Sequence, residues 1–194
     1  PFVEHLGLSQ VEDFFPSHTP FLAFQGDTTT STSSCQVTVI TFGKDQVYGT
    51  GVDNVGTVSS SLATYLALQK TSFDLVLNAG TCGGFQRKGL EIGDVVLTTG
   101  VAHHDRRIPI PGYDAFGIGK LDTLNPSKVA QALGFKTGLC TTGNSLDKVD
   151  KDDEIMLAND ASVKDMEAAA IAWVCTMCHV PYLGVKVVTD IVDG

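Results

Sequence analysis

The C-terminal part of the sequence joins a long apolar helix pattern directly to a long, mostly apolar strand pattern. Apolar side chains recur with a helical period over Asp165–His179, and Pro181 then prevents the helix from continuing. Tyr182–Val188 follows as an apolar and β-branched run that leads into Thr189 and Asp190. A strand that is apolar on both faces must be covered on both faces, which is typical of sheets flanked by helices. This succession predicts a mixed α/β sheet.

The rest of the sequence alternates between strand and helix patterns, and it contains no internal repeat. The Thr/Ser-rich segment Asp27–Ser34 lies between two β-like runs and is predicted to form the tip of a hairpin. The predicted strands are Phe21–Gln25, Gln36–Phe42, Asp74–Asn78, Asp94–Thr99 and Phe135–Thr142, and a helix is predicted at Thr57–Lys70. Ligand sites in α/β sheets gather at the carboxyl ends of strands, so Asn78–Gly84, Thr142–Asp147 and Thr189–Asp190 are candidate site segments.

The composition favours one globular domain with a small ligand. Of 194 residues, 43% are apolar and 18% charged, and the net charge is −9. With 22 acidic against 13 basic side chains, a nucleic-acid or anionic-membrane partner is not expected. No apolar run approaches the ~18 residues that cross a bilayer, and no signal segment opens the sequence. A small neutral or cationic ligand, or another protein, is the better expectation.

The cysteines and histidines could suggest metal chemistry, but their context favours simpler roles. Five cysteines, an odd number, favour a reducing, cytoplasmic location over a disulfide framework. Cys175 and Cys178 have metal-pair spacing, yet they lie in an apolar helix pattern without a second pair, so buried cysteines are expected. The cluster His103–Arg107 lacks an identifiable third ligand, and a solvated or interface loop is favoured over a metal site.

Two carboxylates lie where an α/β sheet would place its chemistry. Glu167 falls in the first turn of an apolar helix pattern, where it and Asp165 complement the helix dipole or where Glu167 binds sugar hydroxyls. Asp190 ends an apolar strand, either as a loop cap or as a general acid. Neither is specific alone, but together they suggest acid catalysis on a glycosidic bond. The glycine-rich segment Asn78–Gly84 either binds a ligand through its backbone or only makes a tight turn.

Five segments in this order resemble the methylthioadenosine/adenosylhomocysteine nucleosidases of the purine nucleoside phosphorylase-like superfamily, and especially their plant-type branch. The segments are Asn78–Gly84, His104–Pro111, Thr142–Asp147, Lys164–Ala169 and Val188–Asp190. The resemblance implies a three-layer phosphorylase/hydrolase-like α/β fold, with a central twisted mixed β-sheet flanked by helices. It also implies a homodimer, a nucleoside substrate, and no metal or organic cofactor.

The same resemblance implies a reaction. It is hydrolysis of the N-glycosidic bond of 5′-methylthioadenosine to adenine and methylthioribose, in methionine salvage; acceptance of S-adenosylhomocysteine stays open. Related phosphorylases have an arginine where this chain has Asn78, and asparagine lacks the charge that binds phosphate, so water is the expected nucleophile. The alternatives are a phosphate-dependent purine nucleoside phosphorylase and a non-catalytic nucleoside-binding or storage-type homologue.

Individual residues receive roles from the resemblance. Asp190 would be the general acid that protonates adenine N7, and Thr81 would lie near the sugar and the catalytic network. The substrate-binding positions are Glu167 at the ribose hydroxyls, Met166 at the ribose face, Leu146 and Asp147 at adenine, and Asp165, Cys82 and Gly83 in the same segments. In the bacterial branch, an aromatic residue usually stands where this chain has Leu146.

We expect residues 1–194 to form a single nucleoside phosphorylase/nucleosidase-like domain without two parts of the family pattern. One is an apolar strand ending in Ala-Met-x-x-Glu-Ala, whose glutamate activates the attacking water. Pro1–His5 aligns just after that motif, and Glu4 is no evident substitute. The other is a C-terminal helix that covers the adenine side of the site, which would follow Gly194.

Overall fold

The computed structural model describes residues 2–29 and 33–194 as an α/β fold around one large mixed sheet. The strands in this part of the chain are β1 (Ser9–Gln10), β2 (Leu22–Thr29), β3 (Ser34–Thr41), β4 (Val76–Gly84), β5 (Val95–His103), β6 (Leu121–Asp122), β7 (Lys136–Thr142), β8 (Ala161–Asp165) and β9 (Tyr182–Ile191). The helices are α1 (Phe2–His5), α2 (Thr57–Lys70), α3 (Asp114–Ile118), α4 (Ser127–Leu133), α5 (Asp150–Ala158) and α6 (Ala168–Met177). None of these helices is long and apolar enough to cross a bilayer.

The large sheet closes on itself. Its strand order is β6-β5-β7-β8-β4-β9, and β9 also pairs with β5, so that five strands form a ring with β6 attached outside it. Within the ring, β5, β7 and β8 run parallel to one another, as do β4 and β9. The two joints, β4–β8 and β5–β9, are antiparallel. At the first joint only the carboxyl ends of the two strands overlap, which brings those ends to one place.

Helix α6 packs against the strands of the ring. Its first half, Ala168–Ala172, is buried, in one apolar cluster with Val96, Cys140 and Val163 of the strands. The small alanine side chains allow the helix to approach the sheet closely, and α2 packs on α6. The core therefore lies directly beneath the segment that carries Met166 and Glu167.

A second, smaller sheet contains β1, β2 and β3. β2 and β3 pair antiparallel from Leu22 with Thr41 to Thr29 with Ser34, which confirms the predicted hairpin. Thr30–Thr32 at its predicted tip lie outside the described residues. Phenylalanines of this region pack with Ala63 and Ala67 of α2, so this sheet is anchored to the same helix that covers α6.

The predicted mixed sheet flanked by helices is confirmed, and α2 has the predicted bounds. Two expectations differ. Of the two interpretations of Asn78–Gly84, the tight turn is wrong, because this segment pairs in parallel with β9 and belongs to β4. Val192 and Val188 of the β9 region pack where β-carbons of Gly83 and Gly84 would lie. The predicted helix start at Asp165 is the end of β8, and α6 begins at Ala168. The closure of the sheet between β5 and β9 was not expected from the sequence.

Candidate active site

Four strands bring their carboxyl ends together at one place in the ring. Thr142 of β7 pairs with Asp165 of β8, and Lys164 of β8 lies opposite Gly83 of β4. Gly83 in turn pairs with Asp190 of β9. Because directly opposed residues on neighbouring strands point to the same face of a sheet, Lys164 and Asp190 flank the glycine. The candidate site is thus built on strand ends, as is usual for ligand sites in α/β sheets.

Asp190 is the exposed carboxylate of this group. A β-carbon at Gly83 would lie only 3.0 Å from Asp190 Oδ2, so the glycine leaves the space that the carboxylate occupies. Thr189 Oγ1 lies 3.1 Å from Asp190 Oδ1 and 3.3 Å from the carbonyl oxygen of Cys82. Asp190 is therefore an acid that is oriented by its neighbours and open to a ligand.

Glu167 connects the N-termini of two helices. It precedes α6 with φ −134° and does not lie in the first turn of the helix, which corrects the prediction. Its Oε1 accepts a hydrogen bond of 2.8 Å from the backbone N–H of Gly56, the N-cap residue directly before α2. Gly56 has φ +90°, a conformation that favours glycine. Burial raises the pKa of Glu167, so this carboxyl holds its proton more strongly than an exposed glutamate.

Asp165 is buried and bonded to the protein on both oxygens. Its Oδ2 lies 2.8 Å from Lys186 Nζ and accepts a 2.8 Å hydrogen bond from the N–H of Ala168, while Oδ1 accepts one of 2.6 Å from the Thr142 hydroxyl. Burial alone would raise the pKa of Asp165, but Lys186 and these hydrogen bonds hold it below its ordinary value. Asp165 thus caps α6 as a charged group, and the structure gives it a place beneath Met166 and Glu167.

Leu146 and Asp147 lie in an exposed segment that Lys164 holds. Lys164 Nζ donates hydrogen bonds to the carbonyl oxygens of Ser145, Leu146 and Asp147, at 3.3, 2.6 and 3.0 Å. The Leu146 side chain is 86% exposed. Burial lowers the pKa of Lys164, although the carboxylates of Asp147 and Asp190 oppose this shift. Asp190 is thus close enough to Lys164 to act on its charge.

The candidates on β4 differ in exposure. Thr81 is exposed, whereas Cys82 is buried. Burial raises the pKa of Cys82 to about 12, so its thiol stays protonated and is not a nucleophile at neutral pH. Asn78, which takes the place of the phosphorylase arginine, accepts a 3.2 Å hydrogen bond at its Oδ1 from the buried Tyr182 hydroxyl. The side-chain oxygen of Asn78 is therefore already used in a hydrogen bond within the protein.

The polar cluster His103–Arg107 lies beside the strand ends. The expected solvated loop begins only after His104, because β5 runs to His103 and both histidines are buried. Burial lowers the pKa of His103 to about 4 and also lowers that of His104. Asp105 accepts a 2.6 Å hydrogen bond from the N–H of Asn144. Over residues 2–29 and 33–194, no group of three or more His, Cys, Asp and Glu side chains could hold a metal ion.

An open cavity of about 290 Å³ lies between α2, α6 and this cluster. Thr57 and Asn144, which line it, are bonded to each other, since Asn144 Oδ1 accepts hydrogen bonds from the Thr57 N–H at 3.0 Å and from its hydroxyl at 2.8 Å. Trp173 of α6 forms another wall. The nine predicted site residues are not among the residues that line this cavity.

The sequence reasoning gave no role to three residues that hold the site together. Gly56 binds Glu167, Lys164 binds the segment Ser145–Asp147, and Lys186 pairs with Asp165. A signal for Lys186 did exist, because a lysine within a buried strand needs an anionic partner, and Asp165 is another charge in an apolar setting. The pattern could not show that residues 21 positions apart meet.

Comparison with protein families identifies this fold. The model of the phosphorylase superfamily matches residues 6–194. The chain belongs to the phosphorylase superfamily. The resemblance seen in the five sequence segments is thereby confirmed.

Within the superfamily, the proteins similar to this chain include two plant nucleosidases. The chain is 40% identical to a 5′-methylthioadenosine nucleosidase of Arabidopsis thaliana and 41% identical to a 5′-methylthioadenosine/S-adenosylhomocysteine nucleosidase of the same plant. Both alignments include 100% of this chain, and they span 71% and 74% of those proteins.

Solved structures agree with this placement. The apo structure of the Arabidopsis 5′-methylthioadenosine nucleosidase superposes with a TM-score of 0.93 at 39% identity, over 100% of this chain and 78% of that one. A nucleosidase from Colwellia psychrerythraea in complex with adenine superposes with a TM-score of 0.72 at 25% identity, over 96% of this chain and 74% of that one. This phosphorylase-superfamily chain therefore shares its fold with methylthioadenosine nucleosidases.

Proposed function

We propose that this phosphorylase-superfamily chain hydrolyses the N-glycosidic bond of 5′-methylthioadenosine, which releases adenine and methylthioribose. The observation that carries the proposal is the pair of carboxylates Asp190, near the end of β9, and Glu167, two residues after β8, because β8 and β9 are the two strands that pair with Gly83 and Gly84 of β4. The two Arabidopsis nucleosidases, which match the whole chain, support the same reaction. A supply of methylthioribose would serve methionine salvage.

In this reaction, Asp190 gives its proton to N7 of adenine. The C1′–N9 bond then breaks, and its electron pair leaves with the neutral base; water adds to C1′ and releases a proton. Positive charge develops on the ribose in the transition state, so a carboxylate at the ribose hydroxyls stabilises the transition state more than the neutral substrate. We assign that role to Glu167, with Met166 against the ribose face and Thr81 near the sugar.

The adenine is held by backbone groups of Leu146 and Asp147, with Cys82 and Gly83 forming the floor beside Asp190. We place Asp165 one step away from the substrate, because both of its oxygens are bonded to the protein. It acts through the start of α6, which carries Met166 and Glu167.

Water, and not phosphate, is the nucleophile. A phosphate would need a free cation at the strand ends. The lysines described at this place are both engaged, Lys164 by three carbonyl oxygens and Lys186 by Asp165. Asn78 carries no charge and is bonded to Tyr182. The phosphate-dependent alternative is therefore not favoured, and neither is a non-catalytic homologue.

The decisive experiment measures adenine release from 5′-methylthioadenosine with and without inorganic phosphate. We expect release that does not depend on phosphate, and a loss of about 10²–10⁴-fold in Asp190→Asn, the usual contribution of a general acid. Asp122→Asn, which changes an exposed aspartate on β6, is the matched control and should retain activity. Strict dependence on phosphate, or unchanged turnover in Asp190→Asn, would contradict the proposal.

The domain expectation also stands as a proposal. Residues 76–82 of β4 have a strand partner only on the β9 side in the described part of the chain, and Leu77 is 57% exposed. An additional strand fits this edge, and we propose that the strand with the water-activating glutamate, which the resemblance implies, binds here. We expect residues 1–194 alone to hydrolyse the substrate slowly, and a chain that also carries Ala-Met-x-x-Glu-Ala to be faster in the same assay.

We further propose that the protein is a cytoplasmic homodimer. The five cysteines are free, which suits a reducing compartment. The outer faces of α2 and α6, which pack together, expose Leu62, Tyr65, Trp173 and Met177. Such an apolar patch is typical of an interface between subunits. Sedimentation equilibrium should give twice the chain mass, and Trp173→Glu should shift it to the monomer; a wild-type monomer would contradict the dimer.

A further inference from the structure

Lys164 is a buried lysine whose ammonium group is bound entirely to backbone. It is 7% exposed, and its Nζ lies 3.3, 2.6 and 3.0 Å from the carbonyl oxygens of three consecutive residues, Ser145, Leu146 and Asp147. An ammonium has three N–H donors and no acceptor, so each donor can serve one carbonyl. One side chain thus fixes the orientation of three peptide groups in a segment that has no helix or strand structure.

This orientation determines where the amide groups of the segment point. All described peptide bonds are trans, and in a trans peptide the N–H points opposite to the carbonyl of the preceding residue. The carbonyls of Ser145 and Leu146 face Lys164, so the N–H groups of Leu146 and Asp147 face the other way. No acceptor in the described part of the chain binds these two N–H groups. They are donors held in a fixed direction and open to a ligand.

The same lysine lies next to the proposed acid. Lys164 and Asp190 are both in register with Gly83, from opposite sides, and the glycine has no side chain to separate them. The carboxylate of Asp190 contributes to the electrostatic environment of the Lys164 ammonium. Lys164 therefore binds the proposed base-binding segment and also lies next to the group proposed to protonate the base.

We propose that Lys164 is a positioning residue that sets the base specificity of the site. By holding three carbonyls, it presents the N–H groups of Leu146 and Asp147 to a purine whose six-membered ring offers a bare acceptor nitrogen, as adenine does. A 6-oxopurine carries a hydrogen on that nitrogen, so the fixed donor meets a donor and the base is rejected. The inference rests on the proposed function, since it assigns the base that the same site reads.

The test compares Lys164→Met, which keeps the length of the side chain without the charge, with Lys164→Arg. Lys151→Met is the matched control, because Lys151 is an exposed lysine on α5 paired with Glu154. Binding of adenine and of hypoxanthine is measured by calorimetry, and amide hydrogen exchange is measured over residues 145–148. The measurements use the full chain, and thermal unfolding is recorded for every variant.

We expect Lys164→Met to bind adenine about 10-fold or more weakly, to change little toward hypoxanthine, and thus to lose discrimination. KM for 5′-methylthioadenosine should rise more than kcat falls, exchange over residues 145–148 should accelerate while β7 and β8 stay protected, and Lys164→Arg should recover part of the loss. Lys151→Met should match the wild type.

Two results would overturn the proposal. One is unchanged exchange over residues 145–148 in Lys164→Met; the other is an equal loss of affinity for adenine and hypoxanthine. If the wild type discriminates the two bases through Lys164 but releases no adenine from the nucleoside, the proposed function fails and the role of Lys164 stands. If the wild type hydrolyses the nucleoside and Lys164→Met retains full discrimination, the role of Lys164 fails and the proposed function stands.

Discussion

The candidate site depends on Gly83 because glycine has no side chain. Gly83 lies between Lys164 and Asp190 on neighbouring strands, and β4 has no side chain at that position. The Asp190 carboxylate keeps its place because the residue opposite it adds no β-carbon there. At the scale of single residues, this space is the most sensitive feature of the candidate site.

Gly83→Ala should therefore reduce activity more than it reduces stability. The new β-carbon would lie 2.5 Å from Val192 Cγ2 and 3.0 Å from Asp190 Oδ2, so the carboxylate must move. A misplacement of about 1 Å costs on the order of 10²-fold in rate, so the smaller shift of the carboxylate expected here should cost less than that, and adenine release measures it. Gly80→Ala is a suitable comparison, because its β-carbon would meet only Lys186 Nζ, at 3.5 Å, and should cost less. Equal activity in both variants would mean that Asp190 does not need this space.

The residues of the site were predictable from sequence to different degrees. Asp190 could be found because a carboxylate after an apolar strand marks a strand end, and the structure places it there. Asp165 could be assigned to the N-terminus of a helix for the same kind of reason. Lys164 and Lys186 could not be assigned, because Lys164 binds a loop, Lys186 binds a residue of β8, and no local pattern encodes those contacts.

At the scale of elements, closure of the sheet depends on β5, which pairs with both β7 and β9. Its register shifts between Thr98 and Gly100, and Thr98 Oγ1 accepts a 2.8 Å hydrogen bond from the N–H of Gly184 on β9. Thr98 is fully buried at this joint. The Thr98 hydroxyl and Gly184 thus pack together where β5 pairs with both β7 and β9.

Gly184→Ala tests this joint. Its β-carbon would approach Thr98 Cγ2 to 2.5 Å, which forces β5 and β9 apart. Overpacking of this kind costs about 1–3 kcal/mol, and we expect the free energy of unfolding in urea to fall by that amount. The double variant Gly184→Ala with Thr98→Ser removes the methyl group but keeps the hydroxyl 2.9 Å from the new β-carbon, so it should recover part of the loss. No recovery would mean that the joint is not limited by this contact.

Element boundaries were predictable where the pattern is local. α2 follows from its apolar period, and its predicted bounds match. β8 was missed because its five residues include Ser162, Lys164 and Asp165, so that it has no apolar run and precedes a strong helix pattern directly. The joint between β5 and β9 has no sequence signal, because it depends on a register shift and on a contact between distant segments.

At the scale of the whole molecule, the buried histidines make stability depend on pH. The unfolded chain protonates a histidine near its ordinary pKa of 6.5, whereas burial and the nearby Arg106 lower the pKa of His103 in the folded protein to about 4. Between these values the unfolded state binds more protons, so stability is lost as the pH falls from 6.5 to 4. The slope is about 1.4 kcal/mol per pH unit for one group. The lowered pKa of His104 acts in the same direction.

Urea unfolding at pH 7.5, 6 and 5 measures this loss. His103→Gln should flatten the dependence, and His18→Gln, at an exposed position, should leave it unchanged. The lowered pKa of Asp165 adds stability that is present above ~3.9 and is lost only below it, so it does not interfere with this window. The raised pKa of Glu167 acts in the opposite direction, so the difference between variants is decisive: a pH dependence that is the same in His103→Gln as in the wild type would contradict the assignment.

The ring of strands also fixes an order for folding during synthesis. β9 is the neighbour of both β4 and β5, and its contact with β5 joins segments about 90 residues apart. Until β9 has left the ribosome, the nascent chain has two strands without a common partner and no closed core, so it exposes edges that other chains could bind. β9, the last of the described strands in chain order, is therefore the strand that closes the ring, and it also carries Asp190. A nascent chain that stalls before β9 has neither a closed sheet nor its acid.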